Sequence, residues 1–509
     1  MASLLSTPTE ILRMIFASLS HGDLVAVCLT HRGLRSPAEL FLYAHIQWTW
    51  SDSQHPPIAQ FLRSIAQRPE LATYVHDVVL NGDSFNKGVN DPGNESPKIP
   101  VTELVVNELV ELVARINVPY AEEWIQKLRA GSMDAFTTLF ISQLHNLKRL
   151  FLDKNYNRET RLRGMMLRSA LCEESTNSYL SSFAYLEDVS VESACLHYNI
   201  RQKTDTRNTQ DILPLFYLPS VKRIRALVDN PATFAWTGKN PPNLRRLRTL
   251  DLTMLREKHL GQVLSVTTRL QKLQWDWYYR EDLEDDSVTG IIDLDQIATG
   301  LSYVKETLTD LTITAGSEGY RGDLEVPEVQ FSGLFKVFSE LDTLKRLKVP
   351  IPFLLGFSPS ASKANHLAVA LPTSLEWLTL TDCLCYNEQW MWQWETDYLL
   401  EAIRSWLQDW KRHTPNLQGF CGQVICREIS NYDTLFLLPK FSNVTTQLNL
   451  VVANRPSSKG FQRVGAQQRF DIHEYHLHLC DEPIATPNIL CIRLLVFEKA
   501  KAMSKLVPY

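Results

Sequence analysis

One phrase of apolar and polar positions recurs along the chain, in the form apolar-x-x-apolar-x-apolar. Clean copies are Leu147-Lys-Arg-Leu150-Phe-Leu152, Leu186-Glu-Asp-Val189-Ser-Val191, Leu247-Arg-Thr-Leu250-Asp-Leu252, Leu308-Thr-Asp-Leu311-Thr-Ile313, Leu344-Lys-Arg-Leu347-Lys-Val349 and Leu375-Glu-Trp-Leu378-Thr-Leu380. Degraded copies start at Val221, Leu270 and Leu417. The alternation that closes each copy predicts a short strand with one buried face. Between copies the pattern shifts toward helix, as over Phe331 to Leu341 and Tyr398 to Trp410. Strand followed by helix, repeated, predicts an α/β fold in which a parallel sheet is backed by helices and winds into a solenoid with a concave face. An ordinary α/β domain whose buried strands share the pattern satisfies the same spacing. Successive copies begin 39, 35, 26, 23, 38, 36, 31 and 42 residues apart, so the array is irregular.

The first forty-odd residues carry a different period. Thr7-Pro8-Thr9-Glu10 reads as a capping box, and Ile11, Leu12, Ile15, Phe16 and Leu19 follow at helical spacing. Ser20-His21-Gly22-Asp23 breaks that helix and starts a second, nearly all apolar one through Leu24, Val25, Val27, Cys28 and Leu29, which Gly33 is placed to end. Ser36-Pro37-Ala38-Glu39 repeats the capping signature ahead of Leu40, Phe41, Leu42 and Tyr43. Three short helices are too small to bury this much apolar surface. A partner protein or the next part of the chain must cover it.

Pro8, Glu10-Ile11-Leu12, Ile15, Leu19, Asp23-Leu24, Leu29, Arg32, Leu34, Ala38 and Leu42-Tyr43 resemble the F-box pattern, although Thr7 stands where that family usually has leucine. Pro56-Pro57-Ile58, Phe61-Leu62-Arg63-Ser64, Arg68-Pro69-Glu70-Leu71 and Tyr74-Val75 extend the resemblance to fungal F-box proteins. The stretch from Pro372 through Trp390, Trp392 and Trp394 to Trp406, Trp410 and Leu417 resembles the leucine-rich-repeat members of that group. The resemblance implies a small N-terminal three-helix F-box followed by an irregular leucine-rich-repeat-like solenoid. It also implies that Pro8, Ile11, Leu12, Ile15, Leu24 and Leu29 bind a Skp-type adaptor, which a cullin links to ubiquitin transfer, and that the solenoid holds an unknown protein target. Each of the six also reads as packing within the helices. The same resemblance divides the chain into an F-box (1–48), a linking helical and strand segment (49–83), a flexible loop (84–100), the solenoid (101–421) and a closing cap (422–509).

Composition narrows the remaining classes. A formal net charge of −5 gives no basic surface for nucleic acid or anionic membranes. Nine cysteines, an odd number at low density, fit a reducing compartment, and without a signal-like N-terminus or an eighteen-residue apolar run the expectation is cytoplasmic or nuclear. Phosphate-loop, Gly-x-Ser-x-Gly and His-Glu-x-x-His motifs do not occur, so no cofactor and no catalytic residue is expected. His473, His476, His478 and Cys480 carry zinc-type ligands but read equally as the polar face of a strand. Cys383, Cys385, Cys421 and Cys426 read as buried thiols, and the tryptophans from Trp390 to Trp410 as core or as an exposed recognition patch. Ser84 to Pro100, Asn155 to Arg163, Arg201 to Gln210 and Ser358 to Lys363 read as surface loops, and Thr446 to Val452 and Glu474 to Cys480 as strands. The expected function is a non-catalytic substrate receptor of a ubiquitin ligase. The alternatives are an interaction scaffold that does not direct ubiquitin transfer and an enzyme hidden in the solenoid.

Overall fold

The computed structural model describes residues 4–51, 54–82, 98–157, 159–173, 179–192, 209–231, 233–280, 288–318, 328–334, 336–359, 367–385, 394, 396–424, 448–453 and 490–496. The chain divides into two compact units, Met1–Leu344 and Lys345–Tyr509.

The first unit opens with three helices, α1 Thr9–Phe16, α2 His21–Thr30 and α3 Arg32–Leu42. Leu12, Phe16, Leu24, Leu34 and Ala38 form their core, with Leu19, Val27, Cys28, Phe41 and Leu42 packed around it. The Ser20 hydroxyl accepts from the Asp23 N–H at 3.2 Å and starts α2. Both expected capping boxes fail. Pro8, not Thr7, occupies the first cap and makes no side-chain bond. At α3 the His31 ring nitrogen accepts from the Gly33 N–H at 2.9 Å, so the helix begins before Ser36, and Gly33 and Pro37 lie inside it. Glu39 is thereby freed from capping and pairs with arginines.

The sheet of the first unit then runs in chain order: β1 His45–Trp50, β2 Asp77–Gly82, β3 Arg149–Leu152, β4 Asp188–Val191, β5 Arg223–Leu227, β6 Thr249–Thr253, β7 Lys272–Arg280 and, after a short β8 Ile291–Asp293, β9 Asp310–Glu318. Each strand of this sheet is parallel to the one before it. The short β8 instead pairs with β10 Gln330–Ser332. Parallel neighbours require crossovers. Helices fill them: α4 Ile58–Gln67 and α5 Glu70–Tyr74; α6 Glu103–Ile116, α7 Ala121–Arg129 and α8 Met133–Ser142; α9 Arg161–Leu171; and later Glu257–Leu264 and Leu294–Ser302.

The recurring phrase explains the packing. Its first apolar residue (Leu147, Leu186, Val221, Leu247, Leu270, Leu308) is buried just before the strand, and the next two point into the core from the strand itself. At roughly 1.5–3 kcal/mol per buried aliphatic side chain, this is the main source of cohesion. Each strand's entry is held by one carbonyl of the preceding repeat, which accepts two consecutive N–H groups. His76 and Asp77 donate to Ala44 O, Lys148 and Arg149 to His76 O, and Glu187 and Asp188 to Lys148 O; the motif repeats through Thr309 and Asp310 on Gln271 O. The sheet begins at His45, earlier than the phrase suggested, because Tyr43-Ala-His-Ile46-Gln-Trp48 and Val75-His-Asp-Val78-Val-Leu80 are copies without the usual leucines.

Two expectations about connections are corrected. Asn155 to Arg163 is a surface loop only around Glu159, which is exposed: Tyr156 and Arg163 are buried, and Arg163 donates to Tyr156 O at 3.2 Å and Asn157 Oδ1 at 2.6 Å. The described residues of Phe331 to Leu341 are not helical, since β10 continues to Ser332 and Gly333 then takes a φ of 89°, where any Cβ would crowd Asp295. A buried polar node lies behind β7. Arg256 forms two 2.9 Å bonds to Glu257, sits 4.5 Å over the Trp277 ring and donates to the Thr289 and Ile291 carbonyls, while Trp277 Nε1 donates to Glu257 at 3.1 Å.

The second unit has its own parallel strands, β11 Arg346–Pro350, β12 Trp377–Thr381 and β13 Gly419–Val424. Beyond them β14 Leu448–Ala453 pairs antiparallel with β15 Leu490–Val496, which pairs antiparallel with β13. The helix Thr396–Gln408 buries Leu399, Ile403 and Trp406 along one face, and Trp406 meets Phe420 edge-on at 5.6 Å. Trp394 is also buried, donating to Gly356 O at 3.1 Å, so both are core. Trp410 is half-buried, and Trp390 and Trp392 lie outside the described residues. Of the expected C-terminal strands, Thr446 to Val452 overlaps β14, and Glu474 to Cys480 lies outside the described residues. Most of Ser84 to Pro100 and Arg201 to Gln210, and the end of Ser358 to Lys363, lie outside them too.

Candidate interaction surfaces

The helical hook separates its six candidate residues into two sets. Leu12 and Leu24 are buried in the hook's core. Pro8, Ile11, Ile15 and Leu29 are exposed, Leu29 at 82% and Ile11 at 45%, together with Met14 at 71% and Val25. The low polarity of α2 explains the exposure: with Leu24 facing inward, its other apolar residues have little of their own chain to cover them.

The hook is held against the repeat sheet by charge. Glu39 is buried and takes a two-pronged bond from Arg68, at 2.8 and 2.7 Å, and another from Arg35 at 2.8 Å, while Arg68 also donates to Glu70 at 2.8 Å. These bonds, the Arg68 bond foremost, hold the Glu39 carboxyl below its ordinary pKa against the opposing effect of burial. Arg68 and Glu70 belong to the segment that extended the family resemblance, which gives that stretch a structural task.

A second surface lies on the solvent face of β1 to β9. Register aligns His45, Asp77, Arg149, Asp188, Arg223, Thr249, Lys272 and Asp310 in one row across the strands. Neighbours in such a row lie about 4.8 Å apart, a distance at which like charges repel. Signs alternate from Asp77 through Arg149 and Asp188 to Arg223. Asp77 accepts from Arg149 at 2.5 and 2.7 Å and meets His45 at 2.5 Å; Asp188 lies 3.8 Å from Arg223. The Arg149 bond keeps Asp77 below its ordinary pKa. In the next row Arg225 donates to Asp251 at 2.6 Å and to Glu192 at 3.1 Å. Burial pushes Asp251 upward, with Arg225 opposing, and pushes Asp276 upward, with Thr314 opposing from 2.6 Å. A cavity of about 790 Å³ opens over these rows.

Local pattern shows Arg149 and Arg223 beside lysines in their copies of the phrase but gives no sign of their acidic partners. Aligning the copies reveals them, because Asp77 and Asp188 occupy the same phrase position as Arg149 and Arg223. Exposed ion pairs contribute only about 0–1 kcal/mol each. The rows therefore add little to stability.

Among the described residues no group of three His, Cys, Asp or Glu side chains is placed to hold a metal ion. His473, His476, His478 and Cys480 lie outside those residues, as does Cys426, while Cys383, Cys385 and Cys421 are half-buried. No helix among the described residues is long and apolar enough to cross a membrane.

No curated protein matches the chain. A family model described as a leucine-rich repeat domain matches residues 52–466, a span that begins just after β1 and takes in every later strand of the first unit. That span is most of the chain, and with a parallel sheet built on one repeated phrase it makes this protein a member of the leucine-rich repeat domain family.

Proposed function

We propose that the chain is the substrate-receptor subunit of an SCF-type (Skp-cullin-F-box) ubiquitin ligase. The observation that carries this reading is an apolar stripe left exposed on a three-helix hook that is itself clamped to a repeat domain through Glu39 and Arg68. Pro8, Ile11, Ile15 and Leu29 supply the adaptor contact, and Leu12 and Leu24 hold the hook in shape beneath them. The resemblance of Pro8 through Tyr43 to the F-box pattern supports the assignment. The repeat sheet holds a protein target, and the ligase's other subunits carry the chemistry, so that this chain contributes proximity. Such a role belongs in the cytoplasm or nucleus.

Affinity purification of the intact chain beside an Ile11→Asp, Leu29→Asp variant tests the proposal. Both side chains are exposed, so the variant keeps its fold. Recovery of a Skp-type adaptor and a cullin by the intact chain, and loss of both by the variant, is the expected result. A folded intact chain that recovers neither sinks it. A second reading, an interaction scaffold that does not direct ubiquitin transfer, is favoured by the leucine-rich repeat match, which implies binding and nothing further. Recovery of partners without a cullin selects that reading.

A further inference from the structure

The strand-entry edge of the first unit carries an excess of charge, unlike the paired face beside it. The residue just before each leading apolar position is Tyr185, Ser220, Arg246 and Arg269 in the copies that form β4 to β7, which are adjacent strands. Tyr185 is 57% exposed, and Arg246 and Arg269 are exposed as well. Arg245, one residue earlier and exposed, and the half-buried Arg248 join them. Arg248 draws the cluster together. Its Nη1 donates to the carbonyls of Arg245 and Leu247 at 3.1 Å and of Arg269 at 3.4 Å, which ties the entry of β6 to that of β7. Arg246 donates to Ser220 Oγ at 3.4 Å, toward the entry of β5. Among the described residues none of these four arginines is in an ion pair. The acids that flank them in the repeat are Glu187, which Lys222 already holds at 2.8 Å, and Glu306 ahead of β9. Glu187 is itself outnumbered: the Lys222 bond first, with Lys148 and Arg246 beside it, keeps its carboxyl below the ordinary pKa.

Along this edge Lys148, Lys222 and the four arginines face Glu187 and Glu306, an excess of positive charge on a chain whose net charge is −5. The partner's chemistry follows from that excess. A guanidinium presents its donors as a fork that fits a carboxylate through two parallel bonds, and arginine and tyrosine are among the residues that dominate interface hot spots. Arg246 and Arg269 stand on neighbouring strand entries, roughly 4.8 Å apart, so two forks are offered side by side. The paired rows of the sheet face and the acid at either end confine the excess to this edge, too short a track to follow a phosphate backbone or a bilayer. We infer that the edge from β4 to β7 docks a segment of the protein target that carries two or more Asp or Glu side chains over Arg246 and Arg269 and an apolar side chain against Tyr185. This assignment deepens the proposed receptor role and rests on its reading of the repeat domain as the part that holds the target.

The test presents the full chain to an immobilised library of random nonapeptides, with a phosphoserine-containing library, a single-stranded oligonucleotide and vesicles of anionic phospholipid alongside. Enrichment of peptides carrying two or more Asp or Glu is the expected result, weakening as salt rises. An Arg246→Glu, Arg269→Glu variant reduces their retention by about tenfold or more, and Tyr185→Ala reduces it less. The three side chains are exposed, so unchanged melting separates loss of binding from loss of fold. Arg246→Gln, Arg269→Gln stands in if the charge reversal unfolds. Enrichment without acidic preference, acidic preference that survives in the folded double variant, retention of phosphorylated peptides alone, or preference for the oligonucleotide or the vesicles overturns the inference. Acidic peptides lost in an Arg223→Glu, Arg225→Glu variant and kept in Arg246→Glu, Arg269→Glu also overturn it, while leaving the sheet face as the target site. Adaptor capture by the same preparation reports separately on the ligase role.

Discussion

The hook and the repeat sheet solve the problem of their surfaces in opposite ways. The sheet buries the apolar residues of its phrase and turns outward a face on which charges answer one another across strands. The hook buries five apolar side chains and leaves Ile11, Met14, Ile15 and Leu29 in water. Repetition accounts for the difference, since each repeat is covered by the next, whereas a three-helix unit has no neighbour on its far side. A surface that satisfies itself discriminates among partners by charge, and one left apolar calls for a partner to cover it.

The sharpest break of the comparison comes from the sheet's core. Leu250→Ala, at a fully buried position, is expected to lower stability by about 2–5 kcal/mol in denaturant unfolding. A small effect there would mean that the phrase does not carry the fold. Glu39→Gln probes the junction: it leaves Arg68 facing a neutral amide in a buried site and is expected to cost about 1–3 kcal/mol. Because the folded pKa of Glu39 lies below its ordinary 4.5, the stabilisation is present above that pH and disappears as pH falls through the folded value. Melting curves of the two proteins should therefore converge in acid, and a gap that persists there would make the loss one of packing. On the polar face, Arg149→Ala is expected to cost under about 1 kcal/mol, with the cost shrinking further in high salt. Smallest of all, Leu29→Ser should change stability by no more than about 0.5 kcal/mol. A larger loss would place Leu29 in the hook's core and remove it from the adaptor contact.

The sequence made the sheet legible because leucine burial and strand alternation leave a mark at fixed offsets. Ile46, Val78 and Leu80 escaped notice only because Tyr43 and Val75 replace the leading leucine. The capping boxes misled for a different reason. Ser36 and Glu39 carry the right residues at the right spacing, but a helix already started by His31 runs through them, and Glu39 gains more from two arginines than from an N-terminal N–H. Arg68 is 29 residues from Glu39, and local pattern has no access to a pairing at that range. Exposure within the hook was equally hidden, because Leu12 and Ile11 are indistinguishable until one helix face has been chosen.

The double donation at each strand entry has a further consequence. A carbonyl that seats two consecutive N–H groups fixes the phase of the incoming strand locally, whatever length of chain precedes it. The copies can then be spaced as unevenly as 23 and 42 residues apart without the error accumulating from one turn to the next. Lengthening a crossover costs only a slowly growing loop entropy. A single residue lost inside a phrase is another matter, for it would turn every later side chain of that strand to the wrong side. The molecule is thus frame-corrected once per repeat: elastic between phrases and intolerant within them.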